Sequence, residues 1–111
     1  MRYCVVLVTA PRGGEAKKLA RLVLGQKLAA CVNIIKGVDS LFWWGGKVDA
    51  AREDLMVLKT RRALLPALTR VIKKAHSYSV CEVVALAVVG GNKPYLDWVG
   101  ASCRTGKDGH R

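Results

Sequence analysis

The sequence predicts an α+β fold: a ferredoxin-like βαββαβ sandwich with a short C-terminal helix. Three observations predict it. Runs rich in Val, Ile, Leu and aromatic residues alternate with stretches whose apolar residues recur every three or four positions. Gly45-Gly46 sits between two long strand-like runs and marks a hairpin. A chain of 111 residues has room for one domain, since domains typically hold roughly 100–150 residues. Two helices on one face of a four-stranded antiparallel sheet satisfy all three.

The elements follow in order. Residues 3–10 form a β-branched run, a buried strand by composition, which Pro11 ends. Gly13-Gly14 make a turn. Glu15 to Ala30 read as a helix, with Ala16, Leu19, Ala20, Val23, Leu24 and Leu28 on one face. Glu15 in its first turn and Lys27 in its last suit the helix dipole. Residues 31–44 are strand-like, and the Lys36-Gly37 interruption signals a bulge or bend. A return strand after Gly46 ends near Thr60. Arg62 to Ala75 form the second helix; Pro66 is tolerable only in its first turn, so the helix proper begins near residue 64. Residues 80–89 form the last strand and 93–103 the final helix. The domain therefore spans 1–103, and 104–111 are a polar, frayed tail.

Nineteen Lys and Arg against eight Asp and Glu give a net charge of +11, which draws anionic partners. The basic residues are spread over both helices, the turn before the second helix and the tail, with no run of five. That pattern fits solvated helix faces better than a nucleic-acid footprint. The βαββαβ order also belongs to RNA-recognition domains, but their basic-Gly-aromatic signature is absent. No apolar run reaches the roughly 18 residues of a membrane span. Cys4, Cys31, Cys81 and Cys103 include no C-x-x-C pair. They read as reduced thiols, and the N-terminal apolar stretch reads as a strand rather than a signal peptide, so the expected compartment is the cytoplasm.

Trp43 and Trp44 are adjacent on a strand and must point to opposite faces. A two-layer sandwich covers only one face of its sheet. The other indole either stands exposed at a hairpin tip or lies in a subunit interface.

Several ordered segments resemble the CutA family of divalent cation tolerance proteins. They are Leu-Val-Thr-Ala-Pro at 7–11, Lys-Leu-Ala-Ala-Cys at 27–31, Ser-Leu-Phe-Trp-Trp-Gly-Gly-Lys-Val at 40–48, Glu53, Leu-Lys-Thr at 58–60, and Tyr-Leu-Asp-Trp-Val at 95–99. The resemblance implies a tight homotrimer, binding of copper or another divalent cation, and no established reaction. Departures stand beside it. The family often shows His-Pro-Tyr and then Pro-Glu, where this chain has His76-Ser77-Tyr78 and Cys81-Glu82; loss of both prolines predicts a looser turn. Bacterial copper-binding members carry Cys where this chain has Val8, and a further His where it has Ala75.

Candidate chemistry follows from these positions. His76, with Cys81 or with symmetry mates, is the candidate metal ligand, and such ligands favour copper over magnesium or calcium. The alternative is that His76 caps the second helix. Trp44, Glu53, Lys59, Tyr78 and Glu82 sit at family-matching positions that look least like core. They make either a polar cleft between subunits or a salt-bridge network that sets register. No nucleophile–base–orienter set is visible, so the chain reads as a non-enzyme. A small-molecule or anion sensor using the intersubunit cleft is the other reading, and Arg12-Gly13-Gly14 before a helix is either a plain turn or an anion site.

Overall fold

The computed structural model describes residues 2–105. Strands β1 (Tyr3–Pro11), β2 (Cys31–Trp44), β3 (Lys47–Arg61) and β4 (Val84–Ala87) form one antiparallel sheet in the order β2-β3-β1-β4. Helices α1 (Glu15–Gly25) and α2 (Leu65–Ala75) lie on one face, and α3 (Lys93–Ser102) follows β4. The βαββαβ order and the final helix are those the sequence predicts.

The sheet's two faces differ because side chains alternate along each strand. Cys4, Val6, Val8 and Ala10 of β1 and Met56, Leu58 and Thr60 of β3 point into the helix layer and are buried. Leu19 and Val23 of α1 and Leu68 and Ile72 of α2 meet them. The opposite, open face carries Ile35, Val84 and Leu86, each about half exposed. α3 packs at the far end of β1 and β3, where a Cβ at Gly100 would fall 2.8 Å from the Tyr3 hydroxyl.

The β2–β3 hairpin runs past the helix layer and stretches the molecule to 44 × 27 × 23 Å. Gly45 and Gly46 both have positive φ, 60° and 80°, as a type I′ turn requires. The interruption at Lys36-Gly37 is a β-bulge: Ile35 faces Leu55 and Val38 faces Glu53, so β2 spends one more residue than β3. That residue inverts the alternation of everything beyond it. Before the bulge the odd residues of β2 face the open side; after it the even ones do, including Phe42 and Trp44.

Three expected boundaries shift. α1 stops at Gly25 rather than 30, because Lys27 turns left-handed (φ 55°) and the chain closes with Leu28 N–H on the Val23 carbonyl and Lys27 N–H on that of Leu24. This is a Schellman cap, with buried Leu28 as its apolar anchor. Lys27 is therefore beyond the helix, not in its last turn. β4 covers four residues rather than 80–89, since it pairs only with Cys4–Leu7 at the sheet edge. Arg104, expected to begin a frayed tail, is anchored by its N–H to the Lys27 carbonyl at 2.9 Å; residues 106–111 of that tail lie outside the described residues.

Leu68 is fully buried between α2 and the sheet. Leu68→Ala is expected to cost about 2–5 kcal/mol, measured as a lower urea midpoint with unchanged slope at fixed protein concentration. A loss under about 1 kcal/mol would mean that α2 does not close the core.

Candidate functional site

The turn after α2 is where distant parts of the chain meet. His76 caps α2, its N–H bonding the Ile72 carbonyl at 2.8 Å. Its ring is fully enclosed. Nε2–H donates to the Thr9 carbonyl at 2.7 Å, and Nδ1 accepts the Tyr78 N–H at 3.0 Å. A carbonyl only accepts and a backbone N–H only donates, so these two bonds fix the tautomer. Ser77 N–H donates to Glu15 Oε2 at 2.9 Å, an oxygen that also lies 3.3 Å from His76 Nδ1. The Tyr78 hydroxyl donates to Glu53 Oε2 at 2.8 Å. The His76 and Tyr78 rings lie 4.8 Å apart. Through residues 76–78, the end of β1, the start of α1, the end of α2 and the middle of β3 are tied together.

The same segment walls a groove of about 610 Å³ on the open face. Its lining includes Thr9, Phe42, Trp44, Asp49, Glu53, Tyr78 and Glu82. Four of the five cleft residues named from the sequence, Trp44, Glu53, Tyr78 and Glu82, therefore meet in one chain. Lys59 does not. It sits six positions along β3 from Glu53, about 20 Å away at 3.3–3.4 Å per residue, where its ammonium bonds Asn33 Oδ1 and lies 4.0 Å from Cys31 Sγ. Phe42, Asp49 and Thr9 escaped the sequence reading. The signal for Phe42 and Asp49 was the bulge: one extra residue at 36–37 puts even positions of β2 and odd positions of β3 on the same side.

The groove holds three carboxylates and no Lys or Arg, in a chain of net charge +11. Glu53 is only 6% exposed and uses the Tyr78 phenol as its donor. Burial, that hydrogen bond, and the charges of Glu53 and Glu15 push the Tyr78 phenol up to about 12. Burial pushes the Glu15 carboxyl up, but the hydrogen bonds from Ser77 and the electrostatic influence of neighbouring His76 and Lys18 outweigh it and leave the group below its ordinary value.

His76 and Cys81 were the candidate metal ligands. The His76 ring has both nitrogens engaged within the fold, and Cys81 is half-buried against the core. Among the described residues, no three of His, Cys, Asp and Glu converge as a metal site needs. The side chains of one chain thus make no preformed cation cage. All four cysteines are free, Cys4 and Cys103 buried and the other two half-buried.

Two outcomes are expected from this network. Tyr78 holds its proton more tightly folded than unfolded, so its contribution to stability is full below the ordinary tyrosine range and is lost as pH rises through about 12. An ultraviolet titration of the folded protein should show a late tyrosinate step that Tyr78→Phe removes; an unchanged curve would deny the Glu53 bond. Glu15 has the opposite sign: its stabilisation is present above the ordinary glutamate range and lost as pH falls through its lowered folded value. Glu15→Gln should cost about 1 kcal/mol at neutral pH and flatten the acid limb of a melting-temperature profile.

The fold has close counterparts. A family model described as CutA1 divalent ion tolerance protein matches residues 4–102. The chain is 49% identical over 100 residues to "Protein CutA 1, chloroplastic" of Oryza sativa, covering 90% of this chain and 56% of that protein. It is 41% identical over 95 residues to the divalent-cation tolerance protein CutA of Thermus thermophilus, covering 86% and 92%. It spans just over half the length of the plant and mammalian relatives that it matches. The crystal structure of rice CutA1 superimposes with a TM-score of 0.90 at 47% identity, over 94% of this chain and 95% of that one. The Thermus structure gives 0.89 at 39%, over 91% and 98%. With a sheet, helices and segment order shared along nearly its whole length, the chain belongs to the CutA1 divalent ion tolerance family.

Proposed function

We propose that the chain acts as a homotrimer that binds divalent cations, copper foremost, and catalyses no reaction. The observation that carries the cation reading is the groove. It gathers Asp49, Glu53 and Glu82 with no basic side chain, on a chain that is otherwise strongly positive. Carboxylates gathered without a basic side chain beside them draw a cation to the groove. Because a single chain closes no cage, the reading assigns completion of the site to neighbouring copies.

Self-association rests on the open face. Ile35, Val84 and Leu86 leave an apolar surface beside the groove, and Trp43 and Trp44 are 73% and 61% exposed on the projecting hairpin. Apolar area of this kind beside solvent marks an interaction site. Family membership supports the divalent cation. Copper is favoured because His76 and Cys81 are the soft and borderline donors near the groove's wall. Binding through His76 Nδ1 has to displace the Tyr78 N–H, so it is expected to be weak and coupled to the turn. Free thiols at all four cysteines fit a reducing compartment, the cytoplasm in this reading. Two plant relatives are named as chloroplastic.

The test is a Cu(II) titration by calorimetry with mass measured in the same buffer. The expected result is a species of three times the 12.1 kDa chain and saturable binding at one ion per chain or fewer. His76→Ala should weaken binding, as should the pair Glu53→Gln and Glu82→Gln. Unchanged affinity in His76→Ala would remove that residue as a ligand; unchanged affinity in both would overturn the groove as the site.

A further inference from the structure

A second cavity lies on the other side of the sheet and has the opposite charge. Its volume is about 1030 Å³, and Arg12, Lys17, Lys36 and Arg52 line it together with Gly13, Gly14, Ile34, Gly37 and Asp54. The four cations come from four separate segments: the turn after β1, the first turn of α1, the bulge of β2, and β3. Ile34 and Asp54 belong to the helix-covered side of the sheet, so this cavity stands apart from the open face and from the acidic groove.

Charge balance inside the cavity is what points to a ligand. Among the described residues, Arg12, Lys17 and Lys36 have no carboxylate partner, and Arg52 has only an exposed contact with Asp39 at 3.4 Å. The one carboxylate in the lining, Asp54, is 6% exposed and accepts the Gly37 N–H at 3.2 Å. It holds the bulge that presents Lys36. Four like charges held around one cavity by the tertiary fold repel one another, and an anion relieves that repulsion. Four cations around a cavity of this size carry more positive charge than a single small anion balances, whereas a chain of linked phosphates carries several negative charges. Gly14, the N-cap of α1, has no side-chain cap, so the first N–H groups of that helix add donors on the same wall.

We propose that this cavity binds a multiply charged oxyanion of the di- or triphosphate class, free or carried on a nucleotide. Arg12, Lys17, Lys36 and Arg52 are its contacts. The lining residues all belong to one chain, and the proposal does not depend on the cation reading.

The experiment is calorimetry of the full chain in 150 mM KCl with orthophosphate, pyrophosphate, inorganic triphosphate and ATP. Saturable binding of one triphosphate per chain is expected, stronger than pyrophosphate and much stronger than orthophosphate. The Arg12→Gln, Lys36→Gln pair should lose about tenfold or more in affinity, equivalent to about 1.4 kcal/mol. The Lys73→Gln, Lys74→Gln pair removes the same charge from an exposed stretch of α2 and should change it less than about twofold. Arg52→Gln gives an independent reading from β3. Equal affinity for triphosphate and ATP means that the phosphate chain alone is held; tighter ATP means that the nucleoside adds contacts. Absence of saturable triphosphate binding, or equal losses in the two double variants, overturns the proposal.

Discussion

The enclosed imidazole of His76 is the constraint on which the rest of the site depends. It bonds the end of β1 through the Thr9 carbonyl and the following turn through the Tyr78 N–H, while its own N–H closes α2. A polar ring with no exposed surface is stable only if both nitrogens are satisfied, and here each is satisfied by backbone. That fixes where the chain leaves α2. The exit in turn sets the Tyr78 phenol against Glu53 and places the 78–82 segment as a wall of the groove. After that turn the chain reaches β1 only at Val84, where β4 pairs at the sheet edge.

The bulge at 36–37 organises the other half of the molecule. By spending one extra residue it turns Phe42 and Trp44 toward the open face and Trp43 away from it. The same distortion carries Lys36 to the opposite cavity, where Asp54 anchors it through Gly37. An acidic, aromatic groove and a basic cavity thus lie on opposite faces of one hairpin. The net charge of +11 describes neither site; its distribution does.

Much of this was legible in the sequence, and what was not has a physical reason. Strand runs, the Gly45-Gly46 turn and the divergence of Trp43 and Trp44 are local properties, set by period-two alternation and turn chemistry. Pro66 placed the start of α2 for the same reason. The end of α1 was missed because its left-handed cap residue is Lys27 rather than a glycine, so the usual marker was absent. Trp44, Glu53, Tyr78 and Glu82 were legible as a group, but Lys59 separated from them because six strand residues outreach any side chain. The His76 network was out of reach of sequence reasoning, since it joins residue 76 to residues 9 and 15 and residue 78 to residue 53.

Position 77, where the family resemblance leads one to expect proline, is Ser, and the turn is held in another way. A proline there restricts the unfolded chain and stiffens the turn, and its loss alone predicts a looser segment. Proline also lacks an N–H. Ser77 has one, and it donates to Glu15 at 2.9 Å. In place of a ring, the turn has a charge-assisted hydrogen bond to the first turn of α1. The two devices differ in one respect that matters for function. A proline holds the turn at every pH and can be displaced by no ligand. A carboxylate–amide bond weakens when the carboxylate takes a proton. The turn that walls the groove is therefore held by the hydrogen bonds of Glu15, His76 and Tyr78, whose strength follows the protonation of the Glu15 carboxylate.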